Sequence, residues 1–279
     1  MEFINTNNAI LERNGKAPYI TFPALSKISF IKHGFSTRLG GVSKGNLSSM
    51  NFDFSREDRK NVEENYKIIS DSIGFNHNDL VLSDQVHKSN ILLVTNDDRG
   101  KGIRKERDYK EIDGLITNTP GLVLTTFYAD CVPLYFVDIK KKAIALSHSG
   151  WRGTVKGIAA KTIDAMEENF ASKPKDIVAV IGPSICKDCY EVSEDVADEF
   201  IKVFNEKQIK EIIEKKDNTN NKYLLDLWKA NKHILLEAGL LKENINISAV
   251  CTACNSNLLF SHRASNGKRG SLAAFLTIK

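Results

Sequence analysis

The chain lacks several features that would place it in a special class of protein. Its 279 residues contain five cysteines, an odd number that is too small for a disulfide framework in a chain of this size. The longest apolar runs, such as 121–127 and 132–137, are far too short to span a bilayer. The N-terminal MEFINTNNAI has no basic region followed by an apolar stretch, so we expect no signal peptide and a cytoplasmic location.

An excess of charge of one sign is also missing. The 39 Lys and Arg residues nearly balance the 35 Asp and Glu residues, which leaves a net charge of +4. This balance argues against a nucleic-acid partner, although local basic segments can still bind small anions. Because the hydrophobic fraction of 42% is ordinary for a globular protein, we expect one domain over residues 1–279, with no membrane and no nucleic acid as partner.

Short apolar segments and helical patterns succeed each other irregularly. Period and composition predict strands at 28–35, 90–95, 122–127, 134–138, 143–147, 177–181, 245–250 and 271–277. Apolar spacings of three and four predict helices at 58–73, 154–170, 193–204 and 225–238, with Gly239 as the stop of the last. The polar run 215–222 predicts an exposed loop between two helices. Together these elements indicate an α/β (α+β) layered sandwich with mixed β-sheets.

Three polar residues stand where apolar segments end. Cys131 lies between two apolar runs, His148 closes the run that begins at Ala143, and His87 ends a third. Pro133 follows the cysteine closely and cannot donate to a ladder, so we expect the strand to break or bulge there. Since layered α/β folds place their sites at strand ends, these three side chains are candidates for one site.

One thiolate and two imidazoles form a ligand set that suits zinc or copper and does not suit magnesium or calcium. Three protein ligands leave the fourth tetrahedral position open, which is typical of a catalytic zinc. The alternative interpretation is a buried thiol beside two hydrogen-bonded histidines, because buried Cys and His are often inert.

Two CxxC pairs, Cys186–Cys189 and Cys251–Cys254, offer a different arrangement of ligands. Two such pairs can build a structural zinc site, but roughly 60 residues separate them here, against about 15–20 in a zinc ribbon. Neither pair opens a helix after a strand in the way that a redox motif does. The spacing therefore argues against either role.

Basic residues flanked by glycine occur in three segments. They are HGFSTR (33–38), GWRG (150–153) and SHR (261–263), the last followed by GKRG (267–270). The planar fork of arginine binds phosphate oxygens in pairs, and the second segment leads into a predicted helix whose N-terminus favours anions. Taken together, the segments predict an anion-binding pocket.

These segments resemble the YfiH family, also called the polyphenol oxidoreductase laccase domain or purine nucleoside phosphorylase-like family, over nearly the whole chain. The matching motifs are HGFSTRLGGVSKGNLSSMNF (33–52), SDQVHKSNI (83–91), DGLITNTPG (113–121), ADCVPLYFVD (129–138), LSHSGWRGTVKGI (146–158), IGPSICKDCYEV (181–192) and CTACNSNLLFSHR (251–263). The resemblance implies a YfiH-like fold and zinc ligands at His87, Cys131 and His148. The chain departs from the usual pattern at Lys88, Ser149 and Cys186, and the last departure makes the first CxxC pair look incidental.

The resemblance also implies phosphorolysis of adenosine, inosine and methylthioadenosine, and deamination of adenosine. Deamination needs a metal-activated water at the purine C6 and a proton donor for the leaving amine. Beside Cys131 and His148, the candidate catalytic residues are Asp130 and Asp113, either of which can instead support a ligand histidine.

Phosphorolysis requires cations that hold phosphate near the sugar C1′. The arginines of the three basic segments, Arg38, Arg152 and Arg263, are the candidates for this role. Asn51 is a further candidate for substrate contact, with capping of a turn as its alternative role. We expect small purine nucleosides and phosphate as the partners.

Three other functions were compared with the residues: one is disfavoured and two stay open. A copper-dependent phenol oxidase with four coppers needs a histidine-rich cluster, and only His33, His77, His233 and His262 remain for one, which is too few. A metal-free thiol hydrolase or deamidase would use Cys131 as nucleophile with His148 or His87 as base, and the fold of the family resembles that of a bacterial toxin deamidase with a Cys–His pair. The last alternative is a non-enzymatic binding module.

Overall fold

The computed structural model describes residues 7–216 and 221–279. In these ranges the strands are β1 (Ile10–Glu12), β2 (Tyr19–Thr21), β3 (Ile31–Ser36), β4 (Leu80–Leu82), β5 (Ile91–Leu93), β6 (Gly114–Thr117), β7 (Val123–Tyr128), β8 (Val132–Asp138), β9 (Ala143–Ser149), β10 (Ile177–Ile181), β11 (Glu191–Ser193), β12 (Ile213–Lys215), β13 (Lys222–Leu225), β14 (Ile245–Ile247) and β15 (Leu272–Ile278). The helices are α1 (Pro23–Ser26), α2 (Arg59–Ile73), α3 (Trp151–Val155), α4 (Ile158–Phe170), α5 (Glu194–Ile201), α6 (Glu206–Ile212) and α7 (Leu227–Glu237).

Most of the strands belong to two six-stranded sheets. The first has the order β1-β2-β3-β15-β7-β4, and the second has the order β14-β10-β8-β9-β6-β5. Neighbours pair antiparallel except at β4/β7, β5/β6 and β10/β14, which are parallel. Strands β11, β13 and β12 form a small third sheet. The architecture confirms the predicted mixed-sheet class.

The two large sheets pack face to face and helices cover their outer faces, which gives four layers; side chains alternate along each strand between the two cores on either side of its sheet. In β8, Tyr135 belongs to the core between the two large sheets, whereas Leu134 and Phe136 belong to the core beneath the helices. Because both faces of this strand are buried, its sequence is apolar almost throughout, as in any strand covered on two sides. The Tyr135 hydroxyl donates to the carbonyl oxygen of Gly34 at 3.0 Å and so joins the two sheets.

Helices cover the outer faces of both sheets. On the first sheet, Tyr66 and Ile69 of α2 share a core with Phe275 of β15. On the second sheet, Ile163 of α4 and Leu235 of α7 belong to one buried cluster with the strands. No helix in the described ranges is long and apolar enough to cross a membrane.

Each predicted strand and helix overlaps an observed element, with differences at the ends. The predicted helix 154–170 is two helices, because Gly157 adopts a φ of 71° between α3 and α4. Pro133 does not interrupt its strand, since β8 begins at Val132 directly after the thiol and the proline is its second residue. The predicted loop 215–222 is flanked by strands, and its centre, 217–220, lies outside the described residues.

Candidate metal centre

The fold brings together the side chains of His87, Cys131 and His148. Cys131 immediately precedes β8, and His148 of β9 lies opposite Pro133 in the β8/β9 ladder, so that these two side chains are near neighbours. His87 comes from the segment between β4 and β5. The three ligand atoms all lie within 4.8 Å of one another, and the two imidazole centroids are 4.8 Å apart. The arrangement can hold one metal ion.

One buried carboxylate positions both histidines. Asp113 Oδ1 lies 2.8 Å from Nδ1 of His148, so Nε2 is the nitrogen of that ring that a metal would take. The same carboxylate accepts the backbone N–H groups of Val86, His87 and Lys88 at 2.9–3.1 Å. Such a carboxylate–histidine pair is common beside a histidine-bound metal, and Asp113 is fully buried.

The charges at the centre favour a protonated His148 beside an ionised Asp113. Burial opposes its protonation, but the Cys131 sulfur and the Asp113 carboxylate outweigh burial and raise the pKa of His148 to about 9. Burial likewise opposes the charged form of Asp113, yet the hydrogen bond and charge of His148 lower the pKa of that carboxyl. Burial, followed by the positive His148, lowers the pKa of His87. The centre therefore favours positive charge at the His148 ring, between Cys131 and Asp113, and the neutral form of His87.

Close backbone approach shapes the same centre. A Cβ atom on Gly150 would stand 2.7 Å from Nδ1 of His87 and 3.1 Å from Sγ of Cys131, so the glycine of the GWRG motif is required by the ligands themselves. His87 and Asp130 have φ values of 60° and 89°, which L-residues with side chains rarely adopt. Such conformations cost about 1–3 kcal/mol each and cluster at functional sites.

The centre opens into two cavities. The larger, of about 660 Å³, is lined by all three ligand residues together with aromatic side chains that include Phe127 and Tyr128. The smaller, of about 330 Å³, is lined by His87 and Cys131 and by three arginines, Arg152, Arg263 and Arg269, together with His262 and Asp130. The volumes are those of small-molecule sites.

Two of the predicted phosphate ligands and one predicted acid lie in the smaller cavity. The guanidinium of Arg152 stacks on the Trp151 ring at 4.3 Å. Arg263 donates to the carbonyl oxygens of Cys189 and Glu191. Asp130 accepts from the Thr252 hydroxyl at 2.6 Å and from the Arg263 backbone N–H at 2.7 Å, which fixes its carboxylate at the cavity wall.

Other predicted site residues do not line either cavity. Arg38 donates to the carbonyl oxygens of Ser48 and Ser256 and stacks on Phe260. Asn51 is fully buried, and its side-chain amide is bonded to Asp53, Glu57 and Ser271. Both residues hold loops together, and neither lines one of these two cavities.

Two cavity residues were not singled out as site residues from the sequence. Arg269, which the sequence shows only as part of the GKRG segment, lines both cavities. Its Nε is buried without a hydrogen-bond partner among the described residues. Tyr190 lines the smaller cavity beside Arg263. The sequence signal for Arg269 was the basic GKRG segment, and that for Tyr190 was the motif IGPSICKDCYEV (181–192).

The remaining histidines form no multinuclear cluster in the part of the chain that the structure describes. His33 is buried and accepts the Phe22 N–H at 2.9 Å, and His233 lies 3.3 Å from Glu211. Among the described residues, two groups of three or more side chains could hold a metal ion: the centre described above and the four remaining cysteines. The histidines therefore provide no site for a three-copper cluster.

Comparisons with known proteins agree with this architecture. The profile of the family described as multi-copper polyphenol oxidoreductase laccase matches residues 32–279. Purine nucleoside phosphorylase YlmD of Bacillus subtilis is 36% identical over 248 residues, 88% of each chain. A purine nucleoside phosphorylase of Bacteroides thetaiotaomicron is 34% identical over 92% of this chain and 95% of its own. The crystal structure of the Bacillus licheniformis hypothetical protein YfiH has a TM-score of 0.90 at 33% identity, covering 98% of this chain and 100% of the other. The chain therefore belongs to the multi-copper polyphenol oxidoreductase laccase family, the YfiH family whose motifs it carries.

Proposed function

We propose that the protein is a zinc-dependent purine nucleoside phosphorylase that also deaminates adenosine. Adenosine, inosine and methylthioadenosine are the proposed nucleosides, with inorganic phosphate as the second substrate. The observation that carries the proposal is the position of His87, Cys131 and His148 at the junction of an aromatic cavity and a cationic one. The names of the related phosphorylases support it.

The donor set fits zinc. Two imidazole nitrogens and one thiolate are ligands that zinc accepts in catalytic sites, and a single copper ion is the alternative. When bound, the metal would supply Lewis acidity next to the reacting part of the nucleoside. Asp113 would keep His148 in the tautomer with a free Nε2.

The smaller cavity suits phosphate. Arg152, Arg263 and Arg269 bring three guanidinium groups to its wall, against the single carboxylate of Asp130. Held there, a phosphate oxygen would attack C1′ of the sugar as the bond from C1′ to the base nitrogen breaks. Adenosine and inosine would give ribose 1-phosphate and the free base, which takes up a proton. Methylthioadenosine would give 5-methylthioribose 1-phosphate and adenine in the same way.

The larger cavity suits the nucleoside. Its volume of about 660 Å³ falls in the range of ligand sites, and Phe127 offers a half-buried ring as an apolar face for a purine. In the deamination, water would replace the amine at C6 and ammonia would leave. Asp130 is the proposed proton donor because it lines the smaller cavity, which shares His87 and Cys131 with the nucleoside cavity, whereas Asp113 is enclosed and acts through His148.

Product analysis tests the proposal. The purified protein is incubated with adenosine or inosine, with and without phosphate, and bases, ribose 1-phosphate and inosine are separated by chromatography. We expect base and ribose 1-phosphate only with phosphate, and inosine from adenosine in either buffer. Arg152→Gln should raise the KM for phosphate, whereas Arg99→Gln should not, because Arg99 pairs with Asp79 and lines neither cavity. Unchanged nucleosides in every reaction would refute the proposal.

A thiol hydrolase or deamidase is the second candidate function. Cys131, His148 and Asp113 have the order of nucleophile, base and orienting carboxylate, since the His148 ring bonds to both neighbours. Such an enzyme would stay active without metal and would be inactivated when iodoacetamide alkylates Cys131. Zinc-dependent turnover would exclude this mechanism.

A further inference from the structure

The four cysteines outside the candidate metal centre converge on one place. The sulfur atoms of Cys186, Cys189, Cys251 and Cys254 all lie within 4.8 Å of one another, and those of Cys189 and Cys254 are 3.5 Å apart. All four are free thiols. Their long separation in sequence had argued against this cluster, so the proximity is a result of the fold.

Sheet topology explains how the two pairs meet. Strands β10 and β14 are parallel neighbours, with Ile181 paired to Ile247, so the chain leaves both strands at the same edge of the sheet. Just beyond that edge, Ser184 forms an isolated parallel bridge with Cys251. The Thr252 N–H donates to the Ser184 carbonyl oxygen at 3.2 Å, which fixes the two CxxC turns against each other.

Backbone N–H groups of both CxxC turns point at one sulfur of the cluster. The N–H groups of Cys186 and Cys254 lie 3.3 and 3.4 Å from Sγ of Cys251. Cys251 is buried, so these two donors take the place of water around it.

We propose that Cys186, Cys189, Cys251 and Cys254 bind a structural zinc ion, separate from the His87, Cys131 and His148 centre. Four thiolates complete a tetrahedral shell and leave no open position, which is typical of structural zinc. Four soft ligands select zinc over the hard cations. The two turns supply two ligands each, so the ion cross-links segments that follow different strands.

The cross-link would stabilise the wall of the smaller cavity. Tyr190 follows Cys189 directly, and Arg263 donates to the Cys189 carbonyl oxygen at 3.3 Å. On the other segment, the Thr252 hydroxyl donates to Asp130 at 2.6 Å. The zinc would thus hold three cavity residues in register. This consequence rests on the proposed function, whereas the metal site itself does not.

Metal content of the purified protein tests the site without any assay of activity. Protein prepared under reducing conditions is examined by native mass spectrometry and elemental analysis. We expect zinc in the Cys131→Ser protein at one ion per chain, and its loss in the triple variant that also carries Cys189→Ser and Cys254→Ser. The Cys131→Ser background removes a ligand of the other centre, so the two sites are scored separately.

Two results would overturn the proposal. One is a Cys131→Ser protein without zinc whose native mass lacks four hydrogens, because this marks two disulfides in place of a metal site. The other is a visible iron–sulfur spectrum. If the triple variant does not fold, cobalt added to metal-stripped Cys131→Ser protein decides: an intense visible spectrum of tetrahedral thiolate-bound cobalt supports the site, and its absence contradicts it.

Discussion

Replacement of Gly150 by alanine should disable the metal centre without unfolding the protein. Gly150 has a φ of −72° and a ψ of 171°, which alanine adopts freely, so the backbone carries no penalty. The added Cβ would stand 2.7 Å from Nδ1 of His87 and 3.1 Å from Sγ of Cys131, against 3.4–4 Å for an ordinary contact. The His87 ring must therefore move by several tenths of an ångström or more.

A metal site does not tolerate such a movement. Bond lengths in a protein zinc site hold to about 0.2 Å, and displaced supporting groups typically cost about 10–100-fold in metal affinity. We expect a loss at the upper end of that range for Gly150→Ala, because both His87 and Cys131 are pushed. Zinc affinity is measured by competition with a chromophoric chelator, and the melting temperature should stay within a few degrees of the wild type. The titration is followed in protein whose Cys189 and Cys254 are replaced by serine, so that one centre is observed.

Gly153→Ala is the matched control. This glycine lies in α3, which begins directly after Gly150, and its added Cβ would meet the carbonyl oxygens of His148 and Lys88 at 3.4 Å, an acceptable distance. Alanine is favoured over glycine within a helix by about 1 kcal/mol, so stability should hold or rise slightly. Wild-type zinc affinity in Gly150→Ala would refute the assignment of His87 and Cys131 as ligands of one ion.

Three further substitutions test the support of the metal centre, the buried His33 and the core beneath α2. Asp113→Asn should lower zinc affinity about 10–100-fold, because the amide holds the His148 ring less firmly, and an unchanged titration would contradict the role of the carboxylate. Burial lowers the pKa of His33 to about 4, below its value of about 6.5 in the unfolded chain. As pH falls, the unfolded chain therefore binds a proton at a higher pH than the folded protein does. Stability is thus complete above pH 6.5 and declines by up to about 3 kcal/mol toward pH 4, and urea unfolding of His33→Gln should show a flatter dependence. Phe275→Ala, in the core beneath α2, should destabilise the protein by about 3–5 kcal/mol in the same assay, and a loss below 1 kcal/mol would contradict its packing.

The parts of the site that follow strand ends could be predicted from the sequence. Cys131 and His148 terminate apolar runs, and a run that is buried on both faces ends where the chain reaches the edge of the sheet. The mixed-sheet class followed from the same runs. The split of helix 154–170 was missed, since apolar spacing continues through Gly157 although its backbone turns left-handed.

Contacts between distant segments could not be predicted in this way. The two CxxC pairs meet only because β10 and β14 are parallel neighbours, and nothing in the local spacing encodes that pairing. Asn51 and Arg38 have side chains that suit substrate binding, but in the structure these side chains form hydrogen bonds to the surrounding loops. Residue type alone does not tell whether a polar group faces a ligand or the protein.

Removal and return of zinc tests directly whether phosphorolysis depends on a metal ion at the candidate centre. Wild-type protein is stripped with a chelator and then titrated with zinc while phosphorolysis of inosine is measured in phosphate buffer. We expect no ribose 1-phosphate from the stripped protein, recovery of activity as the site of His87, Cys131 and His148 takes up zinc, and no recovery in Cys131→Ser. Full activity of the stripped wild-type protein would contradict the metal centre and favour Cys131 as a nucleophile.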